Sequence, residues 1–394
     1  MRILRLLGLI AAGLVLLICL LVLIGAHVFG LPLVSPIGSM VVSVFGPWLI
    51  VVPAAAGAFA IWVWRASHSR AALVLTIMAI AATGWAVVPL ARMMAECRDH
   101  GVPIKLLRAF GVRVLPGWRP DDDLVYGTWQ DQPLHLIVYK PTRAIPAEPA
   151  PILVYIHGGG FVVGDRFESG TNLRGLADRG WLVLSIDYTL SSVDRHLWDV
   201  TTSQVACAMV WTAANAARLG GDPARISLLG SSAGGNLAIN AAYLANGGRL
   251  ESSCGGTVPR VSTVSALYPP VDLGAAWASQ VPAISDMARK FNNYYVGGSP
   301  EQFPDRYRFV ASATHINAAA PPTLVIFGDN DHLVPPEATD KFVQQARNAG
   351  VDIVSVRFPY GEHAFNLNQY GIGNQFYLGL TERFLREHGQ GPAE

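Results

Sequence analysis

The hydrophobic pattern divides this chain near residue 100. Before that point, no Asp, Glu, Lys or Arg occurs between Arg5 and Arg65, and none between Arg70 and Arg92. Three apolar blocks, Leu6–Val28, Val41–Trp64 and Ala72–Met93, each exceed the ~20 residues that span a bilayer as a helix. Pro47, Pro53 and Pro89 are tolerable kinks in such helices. Beyond residue 124, strand-like and helix-like runs alternate. Strands are predicted around Val138, Val154, Val183, Leu228, Val264, Val325 and Val354, and helices over 199–218, 234–246, 336–348 and 375–387. That order predicts an α/β domain with a mostly parallel sheet and helices on both faces. The expected organisation is an all-helical transmembrane region over 1–98, a juxtamembrane segment and linker over 99–123, and one large domain over 124–394.

Positive charge orients the spans. Arg2 and Arg5 precede the first, and Arg65 and Arg70 lie between the second and third with His68. Positive-inside places the N-terminus in the cytoplasm and the large domain on the periplasmic or extracellular side. A cleaved first block leaves the same outcome, because two spans return the chain outside. The segment Val102–Phe110 mixes bulky apolar residues with Lys105 and Arg108, and reads either as an interfacial stretch or as the first element of the large domain. Gly117–Asp123 reads as a surface turn or linker.

Composition agrees. Hydrophobic residues make up 51% and charged residues 14%, against about a quarter charged in a typical soluble domain. A net charge of +1 gives no reason to expect a nucleic-acid partner. There is no zinc-like Cys/His spacing, dinucleotide fingerprint or P-loop, so neither metal nor cofactor is expected. Of the four cysteines, Cys19 falls in the first span and Cys207 reads as a buried small hydrophobe. Cys97 and Cys254 are left as the pair that could bridge in an oxidising compartment.

Candidate chemistry starts at Gly230-Ser231-Ser232-Ala233-Gly234-Gly235, between a strand-like and a helix-like run. A sharp strand-to-helix turn strains the serine backbone, lifts its hydroxyl above the sheet and leaves the Ala233 amide at a helix start. That is the nucleophile-elbow pattern. A serine needs a base, an acid to orient it, and N–H donors for the developing oxyanion. His157-Gly158-Gly159-Gly160-Phe161 follows a buried strand, and the amides of Gly158 and Gly159 are expected to join Ala233 as donors. His157 is read as supporting its own glycine loop. Asp331 follows the Thr323–Phe327 run and is the candidate acid, with Asp329 as runner-up. His363 follows the last strand and is the candidate base, with His332 and His315 as competitors. The chain order is Ser232, Asp331, His363.

With these motifs in place, the chain resembles the α/β-hydrolase esterases of the hormone-sensitive-lipase and carboxylesterase type over roughly residues 124–388. The resemblance rests on Leu134–Pro141, His157–Phe161, Ser185–Leu190, Leu219–Ile226, Ser232–Ala238, the Asp331 loop and His363-Ala364-Phe365. It implies the α/β-hydrolase fold, a serine esterase working through an acyl-enzyme, and a cap over 272–318, where packed surface helices are the alternative. Phe161 and Tyr188 are the candidate pocket residues. Two departures matter. Ser231 stands where the family often has an acidic or second small residue, and Thr189–Val193 replaces an Arg-Leu-Ala-Pro-Glu-like run. The implied partners are an ester substrate (small molecule, lipid or acylated glycan) and the membrane lipid. The alternatives are a short-chain deacetylase of cell-surface glycans or glycolipids, a catalytically silent binding module at the membrane, and a transport subunit.

Overall fold

In a computed structural model, residues 2–114, 119–142, 148–282 and 284–393 are described. The linker turn at Gly117–Trp118 lies outside them. The chain forms two compact units, and sequence order does not separate them.

One unit joins residues 1–114 to two short later segments, 328–332 and 357–377. Its helices are α1 (Arg2–His27), α2 (Val34–Phe45), α3 (Trp48–Ser67) and α4 (Arg70–Asp99). Three helical stretches, Ile3–His27, Trp48–Ser67 and Arg70–Asp99, are long and apolar enough to cross a membrane. The predicted block 41–64 is divided between α2 and α3. Gly46 and Pro47 separate them, and Pro47 occupies the N-cap of α3. Apolar side chains face outward along these helices, among them Ile10, Leu14, Ile18, Ile77 and Ile80. Such an apolar exterior suits hydrocarbon rather than water.

The other unit holds most of residues 115–394. Its eight strands are β1 (Asp122–Trp129), β2 (Gln132–Tyr139), β3 (Ala150–Ile156), β4 (Leu182–Ile186), β5 (Gly221–Ser231), β6 (Val264–Leu267), β7 (Thr323–Gly328) and β8 (Ile353–Phe358). The sheet order is β1-β2-β4-β3-β5-β6-β7-β8. Pairing is antiparallel for β1–β2 and β2–β4, and parallel from β4 through β3, β5 and β6 to β7. All seven residues of β3 are buried, as a central parallel strand covered on both faces requires. The helices of this region are α5 (Gly170–Ala177), α6 (Thr201–Leu219), α7 (Ala233–Asn246), α8 (Leu273–Ala278), α9 (Ile284–Val296), α10 (Pro304–Val310), α11 (Pro336–Asn348) and α12 (Ile372–Glu387). Tyr139, Leu153, Tyr155, Val183 and Leu229 of the sheet pack with Leu173 and Leu176 of α5 and Leu385 of α12 in one core.

Every predicted strand centre lies in a strand. In this unit, outside the segment 272–318, two elements among the described residues escaped prediction. β1 begins inside the run Asp121-Asp122-Asp123, whose charge reads as a turn, and it pairs at the sheet edge, where charged residues are tolerated. α5 is only eight residues long. The cysteine expectation is corrected. The bridge is Cys207–Cys254, with Cα atoms 5.4 Å apart, while Cys97 is free and buried in α4. An apolar helical setting disguised Cys207 as a core hydrophobe.

Without reductant, the unfolded chain is therefore expected to take up an alkylating reagent at Cys19 and Cys97 alone. The Cys254→Ser protein should be about 2–4 kcal/mol less stable. Four alkylated cysteines under non-reducing conditions would remove the bridge.

Candidate active site

The elbow forms where β5 ends and α7 begins. Ser232 sits between them at φ 50° and ψ −121°, a conformation that costs a non-glycine residue ~1–3 kcal/mol. The surroundings leave no alternative. A Cβ on Gly234 would stand 2.0 Å from the Ile156 carbonyl oxygen, so only glycine lets α7 start this close to β3. Backbone bonds hold the turn: Ser232 N–H donates to the Leu267 carbonyl (2.9 Å), and Gly235 and Asn236 donate to the Ser232 carbonyl (2.9 and 3.1 Å). As the first residue of α7, Ala233 contributes an amide with no acceptor one turn earlier in the helix.

The glycine loop follows β3. Gly159, Gly160 and Phe161 take φ of 105°, 60° and 66°. His157 supports the loop from within: its Nδ1 lies 2.7 Å from the Gly158 carbonyl, and its ring stacks on Tyr188 at 4.3 Å. Tyr188 does not line the cavity described below. Its hydroxyl donates to the His157 and Gly158 carbonyls (3.2 and 3.4 Å), so it braces the loop from behind. Burial pushes its phenol pKa well up, which keeps it a donor.

The Gly158 N–H donates to Glu168 Oε2 at 3.1 Å, so that amide already has an acceptor. Glu168 was not anticipated from the sequence. Its Oε1 accepts from Tyr155 Oη (2.9 Å) and Ser231 Oγ (2.8 Å). Glu168 thus brings a carboxylate to the elbow from 63 residues away, across the hydroxyl of Ser231.

Ser232 opens onto a small apolar cavity of about 40 Å³. Gly160, Phe161, Leu273, Phe291 and Val334 are among its lining residues. Phe161 is stacked at 3.7 Å on Tyr295, which fixes one wall. Leu273 and Phe291 come from the segment 272–318.

Asp331 and His363 meet within the helical unit. His363 Nδ1 donates to Asp331 Oδ2 at 2.8 Å, and the aspartate is almost fully buried. Asp329 lies instead 3.8 Å from Arg357. His315 is held by the Phe309 carbonyl at 2.7 Å. His332 donates from Nδ1 to Glu362 Oε2 at 2.5 Å. Glu362, also unanticipated, accepts at Oε1 from the backbone N–H of both His332 and His363, each at 2.9 Å. Burial pushes the Glu362 carboxyl up, partly offset by the His332 hydrogen bond. For His363, burial pulls the imidazole down, but the charge and hydrogen bond of Asp331 and the charge of Glu362 outweigh it and hold the pKa above the ordinary 6.5.

Comparison with known proteins follows this geometry. The BD-FAE family profile matches residues 136–346. The esterase LipC of Mycobacterium tuberculosis is 30% identical over 248 residues, 62% of this chain and 59% of LipC. The probable carboxylic ester hydrolase LipM of the same organism is 28% identical over 288 residues, 72% of this chain and 64% of LipM. The chain thus spans less than two thirds of the length of these relatives. Among solved structures, a thermophilic esterase from Thermogutta terrifontis with bound propionate superposes with a TM-score of 0.57 at 25% identity, covering 69% of this chain and 96% of that one. Its butyrate-bound form gives 0.56 at 25% identity, with 69% and 96% covered.

Replacing Glu168 by alanine leaves the Gly158 N–H without its acceptor and the Tyr155 and Ser231 hydroxyls with only each other and Ser169 to bond. Each unsatisfied group costs about 1–3 kcal/mol when buried. The Glu168→Ala protein should therefore melt measurably below wild type, and Glu168→Gln, which keeps one acceptor oxygen, should lose less. Identical melting of all three proteins would strip Glu168 of this role.

Proposed function

We propose that this chain, which belongs to the BD-FAE family and has the α/β-hydrolase fold, is a membrane-anchored serine esterase acting on short-chain carboxylic esters. The observation that carries the reading is Ser232, strained at an elbow on an apolar cavity that Gly160 of the three-glycine loop also lines. Ser232 Oγ attacks the ester carbonyl. His363 takes the hydroxyl proton at Nε2 while Asp331 accepts from Nδ1–H, fixing the tautomer and stabilising the imidazolium. The amides of Gly159, Gly160 and Ala233 receive the oxyanion, each worth about 3 kcal/mol in the transition state. His363 then protonates the departing alcohol. Water, deprotonated by the same imidazole, releases the acid from the acyl-enzyme and restores Ser232.

Cavity size supports a short acyl group. An engineered cavity of about 150 Å³ admits benzene, and the one at Ser232 is near 40 Å³. The propionate and butyrate held by the Thermogutta esterase point the same way. A cavity of this size also suits the acetyl group of an acylated surface glycan, whose alcohol portion would remain outside it. The apolar helices anchor the enzyme. Positive-inside asymmetry, together with a Cys207–Cys254 bridge that persists only in an oxidising compartment, supports a catalytic domain on the outer side.

Hydrolysis of p-nitrophenyl esters from acetyl to palmitoyl tests this reading. Activity should peak at acetyl to butyryl, and Ser232→Ala should lower kcat by about 10⁴-fold or more. An optimum at palmitoyl would refute the short-acyl assignment, and normal turnover by Ser232→Ala would refute the nucleophile. As the base, His363 must be neutral in the free enzyme. Its raised pKa predicts that kcat/KM falls with decreasing pH through an apparent pKa above 6.5. Asp331 and Glu362 are the charged groups that raise it, so Glu362→Gln should move that limb toward lower pH. A limb unmoved by the substitution would show that Glu362 does not act on the base.

A further inference from the structure

The loops that carry Asp331 and His363 are fastened to the first two helices of the chain. Asn330 Nδ2 donates to the Ala26 carbonyl of α1 (2.8 Å) and to Ser39 Oγ of α2 (2.9 Å), while its own N–H donates to the Gly361 carbonyl (2.9 Å). One asparagine thus ties the acid loop to two helices and to the base loop. Tyr360 Oη, three residues before His363, meets His27 Nε2 at 3.2 Å. In the turn after α1, Phe29 lies flat on the His332 ring, with centroids 4.3 Å apart and planes 10° from parallel. His332 grips Glu362, and Glu362 holds the backbone N–H of His363. The hairpin presenting these groups is itself tightly set. A Cβ on Gly38 would stand 2.5 Å from the Val22 carbonyl oxygen and 2.6 Å from the Ala26 nitrogen, so α1 and α2 touch backbone to backbone.

From these contacts we propose that the α1–α2 hairpin is a positioning element for the acid–base pair, acting through Asn330 and through the stack Phe29–His332–Glu362, and not an anchor alone. The proposal rests on the reading that Asp331 and His363 serve Ser232. None of the hairpin residues touches the reacting atoms. Their effect is on where the imidazole stands, and a displacement of about 1 Å can cost on the order of 100-fold in rate.

The test uses the full-length protein in detergent micelles with p-nitrophenyl butyrate. Asn330→Ala and Phe29→Ala should each lower kcat by about 10-fold or more with KM changed less than about 2-fold. Phe29→Tyr, which keeps the ring, should restore kcat. Ile77→Ala, on the exposed face of α4, should match wild type. Because Phe29 is 60% exposed, its substitution should leave the fold intact even if Asn330→Ala does not accumulate. Wild-type kcat in Phe29→Ala, beside an inactive His363→Ala, would overturn the positioning role and leave the triad standing. A loss that Phe29→Tyr fails to restore, or that Ile77→Ala shares, would also overturn it. Full activity in Ser232→Ala would instead remove the triad reading, and this proposal with it.

Discussion

A carboxylate withdrawn from water must find donors for its oxygens, and Glu362 meets that demand by fastening loops. Glu362 is 4% exposed and accepts two backbone amides and one imidazole. Those amides belong to the residue after Asp331 and to His363 itself, so satisfying one side chain sets the spacing of the two loops. Glu168, only half-buried, joins loops in a similar way, accepting from Gly158 of the glycine loop, Ser231 of the elbow and Tyr155 of β3. Removing one partner from such a network costs far more than the net worth of the pair, because the remaining groups stay buried and unpaired. The buried Glu362 network therefore stands or falls together, as placement of a precise site requires.

The elbow adds a steric constraint of the same kind. Ser232 holds a left-handed conformation only because β3, β5 and α7 converge where no side chain fits. The strain is offset by the burial of α7, whose residues from Ala233 to Leu244 are all buried. Asn236 and Asn240 pin that helix through the Val310 carbonyl (3.1 and 3.0 Å). This ties the segment that lines one side of the cavity to the helix that starts at the serine.

Much of this was legible in the sequence because it depends on local rules. Parallel core strands are continuous apolar runs, elbows need small residues around a serine, and long charge-free blocks suit a bilayer. The catalytic candidates sit at strand ends, where short motifs mark them. The unread features all depend on distant partners. Cys207 looked like a hydrophobe because Cys254 lies 47 residues on. Glu168 and Glu362 carry no local mark, since nothing nearby in sequence indicates which donors will surround them. The bond from the Gly158 N–H to Glu168 is hidden for the same reason. A run of three glycines says that amides can turn inward, but which amide is already engaged depends on Glu168. The split of the block 41–64 was marked by Gly46-Pro47, which a hydropathy window averages away.

Loops at the ends of sheet strands ordinarily belong to the least stable part of a fold, with few buried contacts to oppose their entropy. The segments 328–332 and 357–377 depart from this, because their packing belongs to the helical unit. Asn368 is 1% exposed, accepts the N–H of Arg113 (3.0 Å) and Tyr370 (3.2 Å), and donates to the Gly111 (3.0 Å) and Val44 (3.4 Å) carbonyls. Gln375 Oε1 accepts the N–H of Lys105 at 2.8 Å. With these bonds, the segment that follows α4 and the loop that bears His363 share one set of polar contacts. Order in that loop is thus inherited from its packing against the apolar helices, which opposes the entropy that frees most loops.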